Sequence, residues 1–354
     1  MNAKRLLLDL VRTPSVSGDE SEVATFAADW LQAHGVPVKR LGDTLVAQVE
    51  GAGPGRTLLL NTHLDTVPAG QGWLSDPWEV DWQGDRLTGL GANDAKGCAT
   101  AMMCAVADLA ARRDWSGTLQ LALNATEETN NQGMADALAE LGMPDGGITG
   151  EPTGLQVVRS QAGLVVLEAL WHGQSCHAAH VGRVKNSNAM LKACTDLATL
   201  PAWMEPGDEH ELLGKSTLVA TALKSGERHN LIPDSAIALF DARLVPPTDS
   251  AACLAELKRY LHSAEVRVRS ERLKAVDTPA DDPLVQAALA ATGNPEAVGS
   301  TTLSDMALLR GVPAVKCGPG ETARSHTPNE FLLAAELESG LHFYTSCARN
   351  WLSS

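Results

Sequence analysis

The chain is 354 residues long and carries 28 Lys and Arg against 43 Asp and Glu, a formal net charge of -15. That balance repels phosphate backbones and anionic bilayers, so neither nucleic acid nor membrane is an expected partner, and no apolar run approaches the roughly 20 residues of a membrane span. Seven cysteines, odd in number and without a Cys-x-x-Cys, argue against a disulfide framework or a thiolate zinc site and for a soluble cytoplasmic protein, with two domains the better expectation for this length.

In chain order, an opening helix is expected over residues 3–12, and a Ser15-Val16-Ser17-Gly18 turn leads to an amphipathic helix over 20–33 with Val23, Phe26, Ala27 and Trp30 on one face. Strand-like and helix-like segments then alternate: strands 44–49 and 57–61, helix 96–112, strand 118–125, helix 133–141. Such alternation predicts an α/β layer with a largely parallel sheet. Near Gly163 the pattern changes to hairpin-like strands at 164–172, 216–224 and 235–244, with helices at 188–200 and 250–264, which predicts an inserted α+β domain. From about residue 273 the α/β pattern resumes with helices 283–292 and 304–310, strand 312–317 and a last helix over 332–351. The predicted division is therefore 1–163 with 273–354 as one domain and 164–272 as the other. There is no internal repeat.

Five acidic and imidazole residues stand where this pattern would bring them together. An apolar run of strand length ends in His63-Leu64-Asp65, and a period of two places His63 and Asp65 on one side, where a carboxylate can hold the second nitrogen of a metal-bound imidazole. Asp94 follows the glycine-rich Gly89-Leu90-Gly91-Ala92-Asn93 at a helix start, where alone it would be an ordinary cap. Glu127 and Glu128 end the strand before them, and adjacent carboxylates repel unless a positive charge sits beside them. In a metal site one would ligate while the other takes a proton from water and passes it to a leaving nitrogen. Glu151 precedes Pro152, and His326 lies just ahead of the last helix.

The segments His63-Leu64-Asp65-Thr66-Val67-Pro68, Gly89-Leu90-Gly91-Ala92-Asn93-Asp94-Ala95-Lys96-Gly97, Glu127-Glu128 and Gly150-Glu151-Pro152-Thr153 resemble, in this order, the M20 family of co-catalytic zinc amidohydrolases and peptidases. The resemblance spans nearly the whole chain. It implies a zinc-dependent aminopeptidase-like catalytic domain with an inserted lid or dimerisation domain, and two zinc ions per subunit, cobalt being acceptable to the same carboxylate and imidazole donors. It further implies that Asp94 bridges the two ions, that His63 and Glu151 complete one shell and Glu128 and His326 the other, that Asp65 orients His63, and that Glu127 is general base and acid. His177 would stabilise the oxyanion, in many relatives from the partner subunit of a homodimer. Asn230, Arg243 and the backbone of Gly318 and Gly320 would contact substrate.

The stretch from Thr301 to Asp305 and that from Lys316 to Glu330 are most similar to the acetylornithine deacetylase branch. The expected reaction is hydrolysis of the amide of a small N-acyl amino acid in arginine biosynthesis, N-acetylornithine first, then N-acetylcitrulline or N-succinylornithine. Arg324 and Lys316 are candidates to meet a substrate carboxylate. Rival expectations are a carrier-protein lysine or ornithine deacylase, a succinyl-diaminopimelate desuccinylase, a dipeptidase or carboxypeptidase, and a catalytically dead binding protein.

Overall fold

The computed structural model describes residues 2–353. The chain divides into two compact units, one of residues 1–160, 278–299 and 304–354, the other of residues 161–277 and 300–303.

In the first unit a mixed sheet runs in the order Val38–Leu41, Thr44–Glu50, Thr118–Asn124, Thr57–His63, Gly146–Thr149, Ala314–Lys316, Val158–Gln161. Its middle is parallel, Thr57–His63 pairing with both Thr118–Asn124 and Gly146–Thr149, and Ala314–Lys316 with Gly146–Thr149. The flanking strands are antiparallel. Parallel neighbours need crossovers; here helix Lys96–Arg112 links the first parallel pair and helix Gln132–Leu141 leads to the third strand. Lys96–Arg112 is buried almost all round, which its run of Gly, Cys, Ala and Met permits. Helices Ala3–Arg12 and Ala334–Leu352 pack against it.

Register places the C-terminal ends of these strands at one edge: His63 stands opposite Asn124, and Thr149 opposite both Asn61 and Lys316. In open α/β sheets that edge is where ligands bind. The turn following it is tight, because Gly91 has φ +82° and a Cβ there would lie 2.7 Å from Thr66 Cγ2.

The second unit is an antiparallel sheet in the order Thr217–Ser225, Ser235–Leu244, Gly163–His172, Ala264–Leu273. Alternation buries Ala236, Ala238, Phe240 and Ala242 beside Leu167, Ala169 and Trp171, and helices Ala189–Leu197 and Ser250–Lys258 add Ala189, Ala193, Cys253 and Leu257.

Several elements differ from the sequence reading. The helix expected over 250–264 stops at Lys258, and Ala264–Leu273 forms an unforeseen strand. Its valines are only half-buried at a sheet edge, so its apolar signal is weak. Residues 304–310 hold one 3-10 turn, Asp305–Leu308, and the last helix starts at Ala334 because Phe331–Leu333 pairs with Arg86–Thr88 instead. Among the described residues no helix is long and apolar enough to cross a membrane.

Asp196 holds the second unit's core. Its Oδ2 accepts from Trp171 Nε1 at 2.8 Å, Ser263 N at 3.0 Å and Ser263 Oγ at 2.8 Å. Burial penalises the charge, but these donors outweigh it and hold the carboxyl below its usual 3.8. Asp196→Ala should lower unfolding free energy by about 2–3 kcal/mol, since it strands the buried indole N–H. A parental urea midpoint would contradict this. The carboxylate's contribution exists above the unfolded-state pKa and is lost as pH falls through the lower folded value, so the gap between parent and variant should close below about pH 3.8.

Candidate metal centre

His63 is the last residue of its strand and almost fully buried. Its Nδ1 lies 2.9 Å from the Asp65 carbonyl and 3.4 Å from Asp65 Oδ1. A carbonyl only accepts, so Nδ1 carries a proton, while Nε2 faces the site 3.2 Å from Asp94 Oδ1. Burial opposes the imidazole's charge, but Asp65 and Asp94 raise its pKa well above the usual value, so Nε2 donates to Asp94 here and would give up that proton to a bound cation. The other Asp94 oxygen, Oδ2, lies 3.7 Å from His326 Nε2, which is itself 2.9 Å from Glu128 Oε1. One carboxylate thus spans two imidazoles. Ligand atoms of His63, Asp94 and Glu128 fall within 4.8 Å of one another.

Asp65 is a hub more than a simple partner of His63. Its carboxylate accepts from Ser17 Oγ at 2.6 Å and from the backbone amides of Glu127 and Glu128 at 3.1 and 3.2 Å, which fixes the Glu127-Glu128 turn to the end of the neighbouring strand. Glu127 Oε1 lies 3.3 Å from Asn131 Nδ2 and belongs outside the 4.8 Å group.

Electrostatics divide the acids in two. Asp65 and Asp94 pay a burial penalty, but hydrogen bonds and charge from His63 hold both carboxyls below their usual range. The His63 charge also acts on Glu127 and Glu151, but without the hydrogen bond that Asp65 and Asp94 have it does not offset their burial. Burial first, then neighbouring groups, raises Glu127 well above its usual range and pushes Glu151 up to about 8, with Asp94 the main neighbour acting on Glu151. Hydrogen bonding to Glu128 lifts His326 to about 9. Converging imidazole nitrogens and carboxylates with no thiolate form an oxygen and nitrogen donor set suited to a divalent cation; the nearby Cys98 thiol is raised by burial and stays neutral. The residues fit a metal.

Glu151 lies directly after Gly146–Thr149, within electrostatic reach of Asp94 and His63 but outside the 4.8 Å group. Lys316 ends the adjacent strand fully buried; burial lowers its pKa, and Glu151 is the carboxylate that most opposes this. In the second unit, the amide of Ala178 donates to the Asn230 carbonyl, so His177 and Asn230 sit on facing segments, with His177 Nδ1 accepting from Ala179 N. Arg243 is paired with Asp241 at 2.8 Å.

Two substrate roles expected from sequence meet competing partners. Gly318 N–H donates to Thr153 Oγ1 at 3.2 Å, and Gly318 is packed so closely that a Cβ would fall 2.6 Å from Cys98 Sγ. Arg324 bonds Glu336 at 2.8 Å and lies 4.1 Å over the Phe331 ring, so its charge anchors the start of the last helix. Gly320, at φ +90°, packs on Asn93 next to Asp94. Sequence reading missed Ser17, Glu20 and Glu330. Glu20 accepts from Gly18 N at 2.9 Å and Thr126 N at 3.0 Å, and Glu330 accepts from Gly91 N; only the Ser15-to-Gly18 turn gave any signal.

A strand-end cluster of this kind defines a metal-dependent hydrolase. Residues 59–350 match the peptidase family M20/M25/M40, and the chain belongs to it. It is 29% identical to an acetylornithine deacetylase of Edwardsiella ictaluri over 91% of each chain, and 30% identical to a succinyl-diaminopimelate desuccinylase of Novosphingobium aromaticivorans over 88% of this chain and 86% of that protein. The fold is similar to aminopeptidase PepT of Bacillus cereus (TM-score 0.78, 19% identity, 100% of each chain) and to a dinuclear metal-binding M20 peptidase, YXEP, of Bacillus subtilis (0.76, 16%, 99% and 97%). The protein is accordingly a hydrolase acting on amide bonds.

Asp94→Asn should weaken divalent-cation binding, probed with zinc, by at least about 100-fold, whereas Arg324→Ala should leave it unchanged. Equilibrium dialysis measures both, and parental zinc affinity in Asp94→Asn would remove Asp94 from the ligand set.

Proposed function

We propose that the protein binds two divalent cations, zinc first, and hydrolyses the amide of a small N-acyl amino acid, N-acetylornithine being the favoured substrate, in arginine biosynthesis. The observation that carries this reading is the Asp94 carboxylate reaching His63 on one side and His326 with Glu128 on the other, with Glu127 beside them. Asp94 would be shared by the two cations, with His63 and Glu151 holding one and Glu128 and His326 the other. When bound, the cations supply Lewis acidity that acidifies water and polarises an amide carbonyl.

The chain's own residues do the rest. Glu127, free of ligand duty and oriented by Asn131 and the Asp65-bound turn, takes a proton from the attacking water and delivers it to the departing nitrogen. Its raised proton affinity suits a group that must hold a proton between those steps. His177 provides the remaining hydrogen bond to the oxyanion, and Asn230, Arg243 and Gly320 contact substrate. The proposed assembly is a homodimer through the second unit, which among the described residues carries the large exposed hydrophobic side chains other than Leu74 and Met143, Leu191, Trp203 and Leu223 among them.

The second reading, a desuccinylase, draws on the relative at 30% identity. A hydrolysis panel of N-acetylornithine, N-acetylcitrulline, N-succinylornithine, N-succinyl-diaminopimelate and dipeptides, run on zinc-loaded protein, separates them. N-acetylornithine should give the highest kcat/KM, and a faster dipeptide would overturn the assignment. Glu127→Ala should lose at least about 100-fold in kcat while keeping its zinc; parental turnover would exclude Glu127 as base.

A further inference from the structure

Ser304-Asp305 has no part in the reaction so far, and Asn131, which orients Glu127, must itself be held. Asp305 is almost fully buried. Its Oδ2 accepts from Asn124 Nδ2 at 2.7 Å and its Oδ1 from Asn131 Nδ2 at 3.1 Å, and among the described residues it has no ion-pair partner.

The same Asn131 nitrogen lies 3.3 Å from Glu127 Oε1. A single NH2 group therefore stands between two carboxylates, with one hydrogen for each.

Local structure frees both side chains for this contact. Asn131 precedes helix Gln132–Leu141, where an asparagine usually caps through its side chain, yet it makes no cap bond; Asn130 Oδ1 takes the Gln132 amide at 2.8 Å. Asn131 is also left-handed, at φ 54°, which turns its amide inward. Similarly, Ser304 caps the turn Asp305–Leu308 and Asp305 points to the interior.

An amide held at only one carboxylate can rotate and present its carbonyl oxygen to the other. With Asp305 in place that rotation would set two acceptors against each other in a buried site, so the NH2 end is fixed toward Glu127.

We propose that Asp305 is a positioning residue that acts through Asn131 to hold the Glu127 carboxylate in its productive orientation. The inference rests on the reading of Glu127 as the proton carrier.

The test is a double-mutant cycle of Asp305→Asn and Asn131→Ala, with Glu127→Gln alongside, on whichever amide of the panel the parent turns over fastest. Each single variant should lose about 30- to 100-fold in kcat with KM within about threefold and zinc content unchanged. Because one residue acts through the other, the pair should fall no more than about twofold below the worse single variant. Parental kcat in Asp305→Asn, multiplicative losses in the pair, or a loss that follows missing zinc would each overturn the proposal.

If Asp305→Asn does not fold, the exchange Asn124→Asp with Asp305→Asn takes its place. It keeps the charge and an acceptor toward Asn131, so a folded exchange protein should have parental kcat; one that folds but stays at least about 30-fold down overturns the proposal. The two readings separate cleanly. An active Glu127→Gln removes the proton carrier and this inference together, while an inactive one beside parental Asp305→Asn and Asn131→Ala removes this inference alone.

Discussion

Mutual repulsion among buried carboxylates governs this molecule. Asp65, Asp94, Glu127, Glu128, Glu151 and Asp305 crowd the ends of a few strands, where low dielectric makes like charges costly. Each carboxyl answers according to its partner. Asp65 and Asp94, which touch the His63 imidazole, are held below their usual range, while burial drives Glu127, Glu151 and Asp305 toward the neutral form. A cluster so arranged is satisfied by concentrated positive charge, which is the physical sense in which it calls for divalent cations.

Holding such a cluster requires fixed backbone, and several long-range ties supply it. Lys96 is fully buried at the start of its helix, and its ammonium donates to the carbonyls of Leu10 at 2.9 Å and Thr13 at 2.8 Å, joining the first helix to the turn that bears Asp94. Burial lowers its pKa to about 7, with Glu330 and Asp65 opposing the shift. Glu330 in turn grips Gly91. The ligands thus rest on a second set of charged and polar groups, and a rigid second set is what keeps first-contact geometry accurate.

How much of this was legible in the sequence depended on how local the cause was. Ala3–Arg12, Lys96–Arg112 and Pro283–Thr292 have the bounds read from periodicity, and in Pro283–Thr292 a proline opens the helix and Gly293 closes it. The convergence of His63, Asp94 and Glu128 followed from each standing at a strand end or a helix start. By contrast, Ser17 meets Asp65 across 48 residues and Glu330 meets Gly91 across 239, and no local pattern encodes such pairings. Arg324 shows the same limit: a cation near a site looks available for substrate, and only the fold reveals Glu336 and Phe331 beside it. The edge strand Ala264–Leu273 was missed because its alternation is half charged.

The position of Ala314–Lys316 carries a consequence for biosynthesis. In the sheet it lies between Gly146–Thr149 and Val158–Gln161, strands that leave the ribosome more than a hundred residues earlier. A nascent chain therefore holds Gly146–Thr149 with one ladder edge open, and that strand is wholly buried in the finished fold. Unpaired edges of this kind recruit foreign strands. The whole second unit is translated while the edge waits, and His326 emerges after the closing strand, so the donor set is complete only once both have been made. Completion of the donor set and closure of the sheet are thereby joined in time, both following translation of the second unit.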